Sequence, residues 1–468
     1  MKKNLVIIGI IVSILFLYCS NKVKQNSFIL NGNIVGAANN DTVSLVFYKD
    51  YVTREDSVIK VPIVNGNFKI EVLNPQATEA NLNYKNKRIK IFLTNSDILN
   101  IKIDGKNKND SGIFEQKKYK DNICLKEITE LIKSQKLYGR DIIQLFMRAS
   151  GDSVMKAFNR FELEANKIYT KYGKELSPEF NSYIKNYIKY FKLRSLLNYP
   201  AYHEYYTNEK VDTSYFVFLE KVKIDYNPDI VTSNYISFLN NYIDYMFSKE
   251  EDSSNQENNY YINSFNLTKK LLKGKALSLI LTSRLQDAIR YSQNQDEVNK
   301  IYNEYLNICQ NEHYKNIISK LKKDYDKLSS GNPAPEINLK DINGKDFKLS
   351  DLKGSVVYIK FWASWCGPCK REIPSDIEIE KYFKGKNVKF LRVSLDEDEL
   401  AWRKMVAEKK LGGINVRCNG FDSEVAKSYL IYGVPTYYII DKNGNIGMRN
   451  APRPSNKEEA IKTIKKFL

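Results

Sequence analysis

Two cysteines held between a strand and a helix constrain this chain more than any other feature in it. Val356-Val-Tyr-Ile-Lys360 reads as a buried strand, Glu372 to Phe383 carries a helical pattern, and Cys366-Gly367-Pro368-Cys369 falls at the turn between them. A helix N-terminus offers unpaired N–H groups and partial positive charge, which favour a thiolate and lower its pKa from about 8.5 to roughly 3.5–7.5. Cys366, first in the turn, is the expected nucleophile. Two intervening residues let Cys369 come close enough for a disulfide, with Gly367 allowing the tight turn and Pro368 fixing it. The pair can therefore cycle between dithiol and disulfide. A C-x-x-C is also half of a zinc site, but the only histidines are His203 and His313 and the other cysteines are scattered, so no metal is expected.

Phe361-Trp-Ala-Ser-Trp-Cys366-Gly-Pro-Cys369-Lys370 closely resembles the active-site signature of the thioredoxin superfamily, and the resemblance extends over residues 333–468. It implies an α/β thioredoxin fold there, with Cys366 and Cys369 as the redox-active disulfide. Gly433-Val434-Pro435-Thr436 resembles the family's second fingerprint, a cis-proline loop facing the cysteines, where the Val434 backbone can offer an N–H and a C=O to an extended substrate. Trp365, Gly367, Pro368, Val434 and Pro435 are accordingly the expected substrate-binding residues. Pro374, inside the active-site helix, matches the family's kink.

Lys360 departs from the pattern, because thioredoxin has a buried aspartate at this place to take a proton from the second thiol. A lysine could favour the Cys369 thiolate as a cation, or snorkel to water and do nothing. Glu372, three residues after Cys369, matches a glutamate of TlpA and ResA type proteins and is the candidate base, with a surface bystander as the alternative. Ala334 to Leu352 reads as a strand, an Asn343-Gly344 turn and a second strand. Exported TlpA and ResA type reductases and peroxiredoxins have a similar leading hairpin.

Upstream, the pattern changes twice. Residues 27–105 hold short alternating runs such as Asn67-Phe-Lys-Ile-Glu-Val-Leu73, separated by turns that include Asn65-Gly66, and read as an antiparallel β-sandwich. This part resembles the N-terminal domain of Bacteroidetes-type exported thioredoxin-like lipoproteins. Residues 120–328 read as an all-α region: Ser177-Pro178-Glu179 starts a helix with Phe180, Tyr183, Ile184, Tyr187, Ile188 and Phe191 on one face. Further faces run through Ile128 to Phe146, Tyr235 to Phe247, Leu271 to Tyr291 and Val298 to Leu328, with a polar loop over Ser248 to Asn259. Ser329 to Pro335 is a linker by composition.

Met1-Lys-Lys-Asn followed by the apolar run Leu5 to Tyr18 has the form of an export signal, spanning residues 1–19 and too short for an ordinary membrane span. Leu17-Tyr18-Cys19-Ser20 resembles a lipoprotein cleavage site at which Cys19 is lipidated, although Tyr18 is bulky where that pattern has a small residue. Secretion, or anchoring by an uncleaved signal, is the alternative. Cys124, Cys309 and Cys418 remain, an odd number that argues against a disulfide scaffold and for buried apolar roles. The net charge of +18 is spread over every segment and mixed with acidic residues, without a compact basic stripe, so it reads as a solvated surface rather than a nucleic-acid site.

The function these features imply is an exported, membrane-tethered thiol–disulfide oxidoreductase facing the periplasm, reducing protein disulfides. No flavin or nicotinamide motif is visible, so no cofactor is expected and electrons would come from a membrane donor of the DsbD/CcdA type. A peroxiredoxin-like peroxidase, and a binding or scaffold lipoprotein with an accessory redox domain, are the alternatives.

Overall fold

The computed structural model describes residues 27–53, 55–95, 97–107, 112–249, 256–292 and 294–468; the export signal and Cys19 lie outside them. Two compact units divide the chain: described residues up to Val222 with Asp229–Phe238, and Lys223–Pro228 with Leu239–Leu468.

The first unit opens with β1 (Ser27–Val35), β2 (Thr42–Asp50), β3 (Glu55–Pro62), β4 (Asn67–Leu73), β5 (Thr78–Tyr84), β6 (Lys87–Leu93), β7 (Asp97–Asp104) and β8 (Ile113–Gln116). They form two four-stranded sheets, ordered β4-β1-β7-β8 and β3-β2-β5-β6. Alternation does the work here: in β4 every second residue is buried, and Phe68, Ile70 and Val72 join Phe28, Leu45, Leu82 and Leu99 in one core. The expectation of a wholly antiparallel arrangement is corrected at one place, since β1 pairs with β7 in parallel, Phe28–Val35 against Asp97–Asp104. Hairpin turns specify only strands adjacent in sequence, and β7 reaches β1 after five intervening strands.

Four helices complete this unit's main body: α1 (Asp121–Ser134), α2 (Gly139–Arg148), α3 (Gly151–Tyr172) and α4 (Pro178–Thr207). α4 starts as its sequence requires, with the Phe180 N–H donating to Ser177 Oγ at 3.1 Å and Pro178 in the first turn, and its aromatic face is buried. The face expected through Ile128 to Phe146 is two helices, because Lys136 and Gly139 take positive φ between them. Asn122 joins helix to sheet, exchanging hydrogen bonds with both backbone groups of Phe92 on β6 at 2.7 and 3.0 Å.

After α5 (Ser233–Ser248), within which the division falls, the second unit contains α6 (Gln256–Leu271), α7 (Gly274–Tyr291), α8 (Gln295–Ile308) and α9 (Glu312–Asp326). The expected polar loop therefore ends sooner, and the face through Val298 to Leu328 is two helices. Asn311 breaks it by accepting from the Tyr314 N–H at 3.2 Å as a new N-cap. The rest is β9 (Asn338–Lys340), β10 (Asp346–Lys348), β11 (Val356–Trp362), α10 (Gly367–Tyr382), β12 (Val388–Ser394), α11 (Glu399–Glu408), β13 (Ile414–Arg417), α12 (Glu424–Ser428), β14 (Thr436–Ile440), β15 (Ile446–Arg449) and α13 (Lys457–Lys465).

β9 and β10 form the leading hairpin, and the other strands form one mixed sheet, β13-β12-β11-β14-β15. β11 is buried at every residue and central, parallel to β12 and antiparallel to β14, so its C-terminal end delivers the cysteine turn from the most fixed strand of the fold. The linker by composition is tied down: the Gly331 N–H donates to Ile446 O at 2.8 Å and the Ala334 N–H to Gly444 O at 3.0 Å. No helix among the described residues is long and apolar enough to cross a membrane.

Candidate active site

β11 ends at Trp362, and the turn Ala363-Ser364-Trp365 leads to Cys366 as the N-cap of α10. The Cys369 N–H donates to Cys366 Sγ at 3.1 Å, so a first-turn donor of the helix already points at this sulfur. Cys366 and Cys369 form a disulfide with Cα atoms 5.2 Å apart. Cys366 is 5 % exposed and Cys369 fully buried, while Trp365, Gly367 and Pro368 are exposed around them. A reactant can reach only the first sulfur. The same hydrogen-bond donors and partial charge would favour a Cys366 thiolate after reduction.

The turn is held from below by a carboxylate that sequence reasoning missed. Buried Asp396, just past β12, accepts from the Ser364 N–H at 2.9 Å, from the Ser364 hydroxyl at 2.6 Å and from the Ser394 hydroxyl at 2.7 Å. A Ser-x-Asp at the end of a buried strand was the available signal, but its partner lies in another loop.

Opposite the cysteines stands the loop Gly433–Thr436. The Val434–Pro435 peptide bond is cis, as the resemblance implied. The Val434 carbonyl oxygen lies 3.5 Å from Cys366 Sγ, a distance at which the reduced thiol would donate to it. Cys418 is not part of this group: its buried thiol donates to the Ser394 carbonyl at 3.3 Å, and burial raises its pKa. Cys124 and Cys309 are likewise free and buried, and burial pushes the Cys124 thiol up to about 12.

Beneath α10 lies a buried charge network. Lys360 on β11 and Arg392 on β12 are register partners, facing an acidic stripe of Glu372, Asp376 and Glu380 at helical spacing. Asp376 Oδ2 is 3.3 Å from Lys360 Nζ and 3.0 Å from Arg392 Nε, and Arg392 Nη2 reaches Glu380 at 2.7 Å. Lys360 does not snorkel; it is buried against Asp376, and burial, with Arg392 adding to it, lowers its pKa from the usual lysine value. Glu372 is no surface bystander either. It is 6 % exposed and accepts from the Ser455 N–H and hydroxyl, both at 2.9 Å, rather than from the cysteines.

The AhpC/TSA family profile matches residues 330–449. The thiol-disulfide oxidoreductase ResA of Bacillus thuringiensis is 30% identical over 142 residues, covering 30% of this chain and 80% of that protein. ResA of Bacillus subtilis is 35% identical over 120 residues, covering 25% of this chain and 65% of that one. Among solved structures, the thioredoxin domain of a thiol-disulfide oxidoreductase from Bacteroides vulgatus is 31% identical, covering 30% of this chain and 98% of that chain with a TM-score of 0.28. The Cys366–Cys369 disulfide at the start of α10 fits a redox C-x-x-C site, and this chain belongs through its C-terminal domain to the ResA family of thiol-disulfide oxidoreductases.

Proposed function

We propose that this chain reduces protein disulfides at the cell envelope, cycling Cys366 and Cys369 between dithiol and disulfide. The observation that carries the reading is the asymmetry of the pair: Cys366 is the N-cap of α10, slightly open and beside the cis-proline loop, and Cys369 is sealed beneath it. The Cys366 thiolate attacks one sulfur of the substrate disulfide, giving a mixed disulfide and expelling the other substrate thiolate. Cys369, deprotonated, then attacks Cys366 Sγ, so the substrate leaves as a dithiol and the chain holds the disulfide. Two electrons have moved. Gly-Pro between the cysteines resembles thioredoxin, a reductant near −270 mV, rather than the oxidant DsbA near −120 mV, which supports the reducing direction. Re-reduction then falls to a membrane donor of the DsbD/CcdA type. Cys369→Ser should accumulate thiol-sensitive adducts with client proteins, read by non-reducing electrophoresis, and Cys366→Ser should trap almost none; turnover retained by Cys366→Ser would sink the assignment.

A peroxidase is less well supported. The residue three before Cys366, where peroxiredoxins have a hydroxyl, is Ala363, and the neighbouring Ser364 hydroxyl is committed to Asp396. Glu372 is proposed as the proton acceptor near Cys369, and Trp365, Gly367, Pro368, Val434 and Pro435 as the surface that meets the client. For the remaining parts, a β-sandwich over 27–105 and a helical domain over 120–328 recruit partners, and the catalytic domain spans 333–468. Export and lipidation at Cys19 complete the proposal: fatty-acid labelling should tag the wild-type chain and not Cys19→Ser, and an exported but unlabelled wild type would rule lipidation out.

A further inference from the structure

We propose that a pocket beside the cis-proline loop is a subsite for an acidic side chain next to the client's cysteine, with Arg290 of α7 as its specificity-determining residue. The proposal rests on the disulfide-exchange reading above and names the class of client sequence that this site prefers. The pocket has a volume of about 200 Å³ and is lined by Tyr432, Val434 and Pro435 together with Arg290 and Tyr291. It is smaller than the roughly 300–1,000 Å³ of drug-sized ligand sites, and so suits one side chain. Its wall residue Val434 holds the carbonyl that lies 3.5 Å from Cys366 Sγ. At about 3.3 Å per residue, an extended client bonded at the cysteine would bring a neighbouring side chain to this pocket within a residue or two.

The end of α7 is fixed there, because Asn450, just past β15, donates from Nδ2 to the Arg290 carbonyl at 2.7 Å. The Arg290 guanidinium lies over the Tyr432 ring, 5.1 Å from its centroid, and its buried Nε has no hydrogen-bond partner among the described residues. Tyr432 itself is 58 % exposed, so the stack borders open solvent. Arg453 also lines the pocket, and among the described residues no carboxylate does. The C-terminus of α7 contributes roughly half a negative charge, which two guanidinium groups outweigh. A planar guanidinium matches a carboxylate better than it matches an amide or a cation.

The test uses the full chain and disulfide-bearing peptides that differ only in the residue beside the cysteine: Glu, Gln or Lys. In the wild type the Glu peptide should show a KM about tenfold below the Gln peptide, as expected for a hydrogen bond to a charged group, with Lys higher still. The preference should shrink as salt rises. Taken as a ratio within each protein, it should fall to about one in Arg290→Ala and stay clearly above one in Arg290→Lys, which keeps the charge. Binding of peptides with serine in place of cysteine to the oxidised chain, read by fluorescence anisotropy, should follow the same order without turnover. Equal KM values for Glu, Gln and Lys, or a preference that survives Arg290→Ala, would overturn the subsite. Glutamate-selective binding without any peptide turnover would keep the subsite and count against the reductase reading instead.

Discussion

Glu372 and Asp376 sit one helical turn apart on the buried face of α10, and their partners assign them different work. Asp376 is enclosed by Lys360 and Arg392, a charge balance that fixes helix to sheet. Glu372 instead accepts hydrogen bonds from the neutral Ser455. Glu372→Gln should slow disulfide reduction by about 10²-fold, the low end of general acid–base contributions, and flatten the pH–rate profile. Ser455→Ala should shift that profile without abolishing it. An unchanged profile in Glu372→Gln would remove the residue from proton handling. Cys366, Cys369 and Pro435 were legible in the sequence because each sits in a contiguous motif. Lys360 was legible only as an anomaly, since its partner Asp376 comes into view once the register of Lys360 against Arg392 is known.

Asp121, in the first turn of α1, ties that helix to the start of α4. Its carboxylate accepts from the Ser177 N–H at 2.9 Å and from the Ser177 hydroxyl at 2.6 Å, and burial raises its pKa from 3.8 to about 6. A carboxyl whose pKa is higher in the folded state favours folding while protonated. That stability is fully present below about pH 3.8 and is lost as pH rises through about 6. Urea unfolding of the full chain followed by circular dichroism should therefore show a loss on the order of 1–3 kcal/mol from this group between pH 4 and 7. Asp121→Asn should lack that slope, and equal slopes in the two proteins would refute the assignment. Elements were legible where periodicity ran long, as in α4, or where a buried run was continuous, as in β11. Strand β13 was not, because Ile414-Asn-Val-Arg417 is too short to alternate convincingly. Helix α12 stops at Ser428, because Leu430 takes a positive φ and the Ile431 N–H turns back to the Ala426 carbonyl.

Across the whole molecule, the boundary that composition draws at Ser329–Pro335 is not where packing ends. Leu328 is buried in the core of the redox fold with Ile337, Phe361 and Ile446, and Tyr325 of α9 lies under the Arg449 guanidinium at 4.4 Å. A polypeptide beginning at Glu312 should be more stable than one beginning at Pro333 by about 2–3 kcal/mol, roughly the worth of one buried leucine. Equal denaturation midpoints for the two would show that α9 adds nothing to the domain. Cys124, Cys309 and Cys418, spread over both units, are all buried, and Cys369 lies sealed beneath Cys366. Among the described residues, then, a bulky thiol tag offered to the folded chain finds one sulfur when the pair is reduced and none when it is oxidised. Intact mass would read the electron occupancy of each molecule directly, so the chain's own weight can report the redox poise of the compartment that holds it.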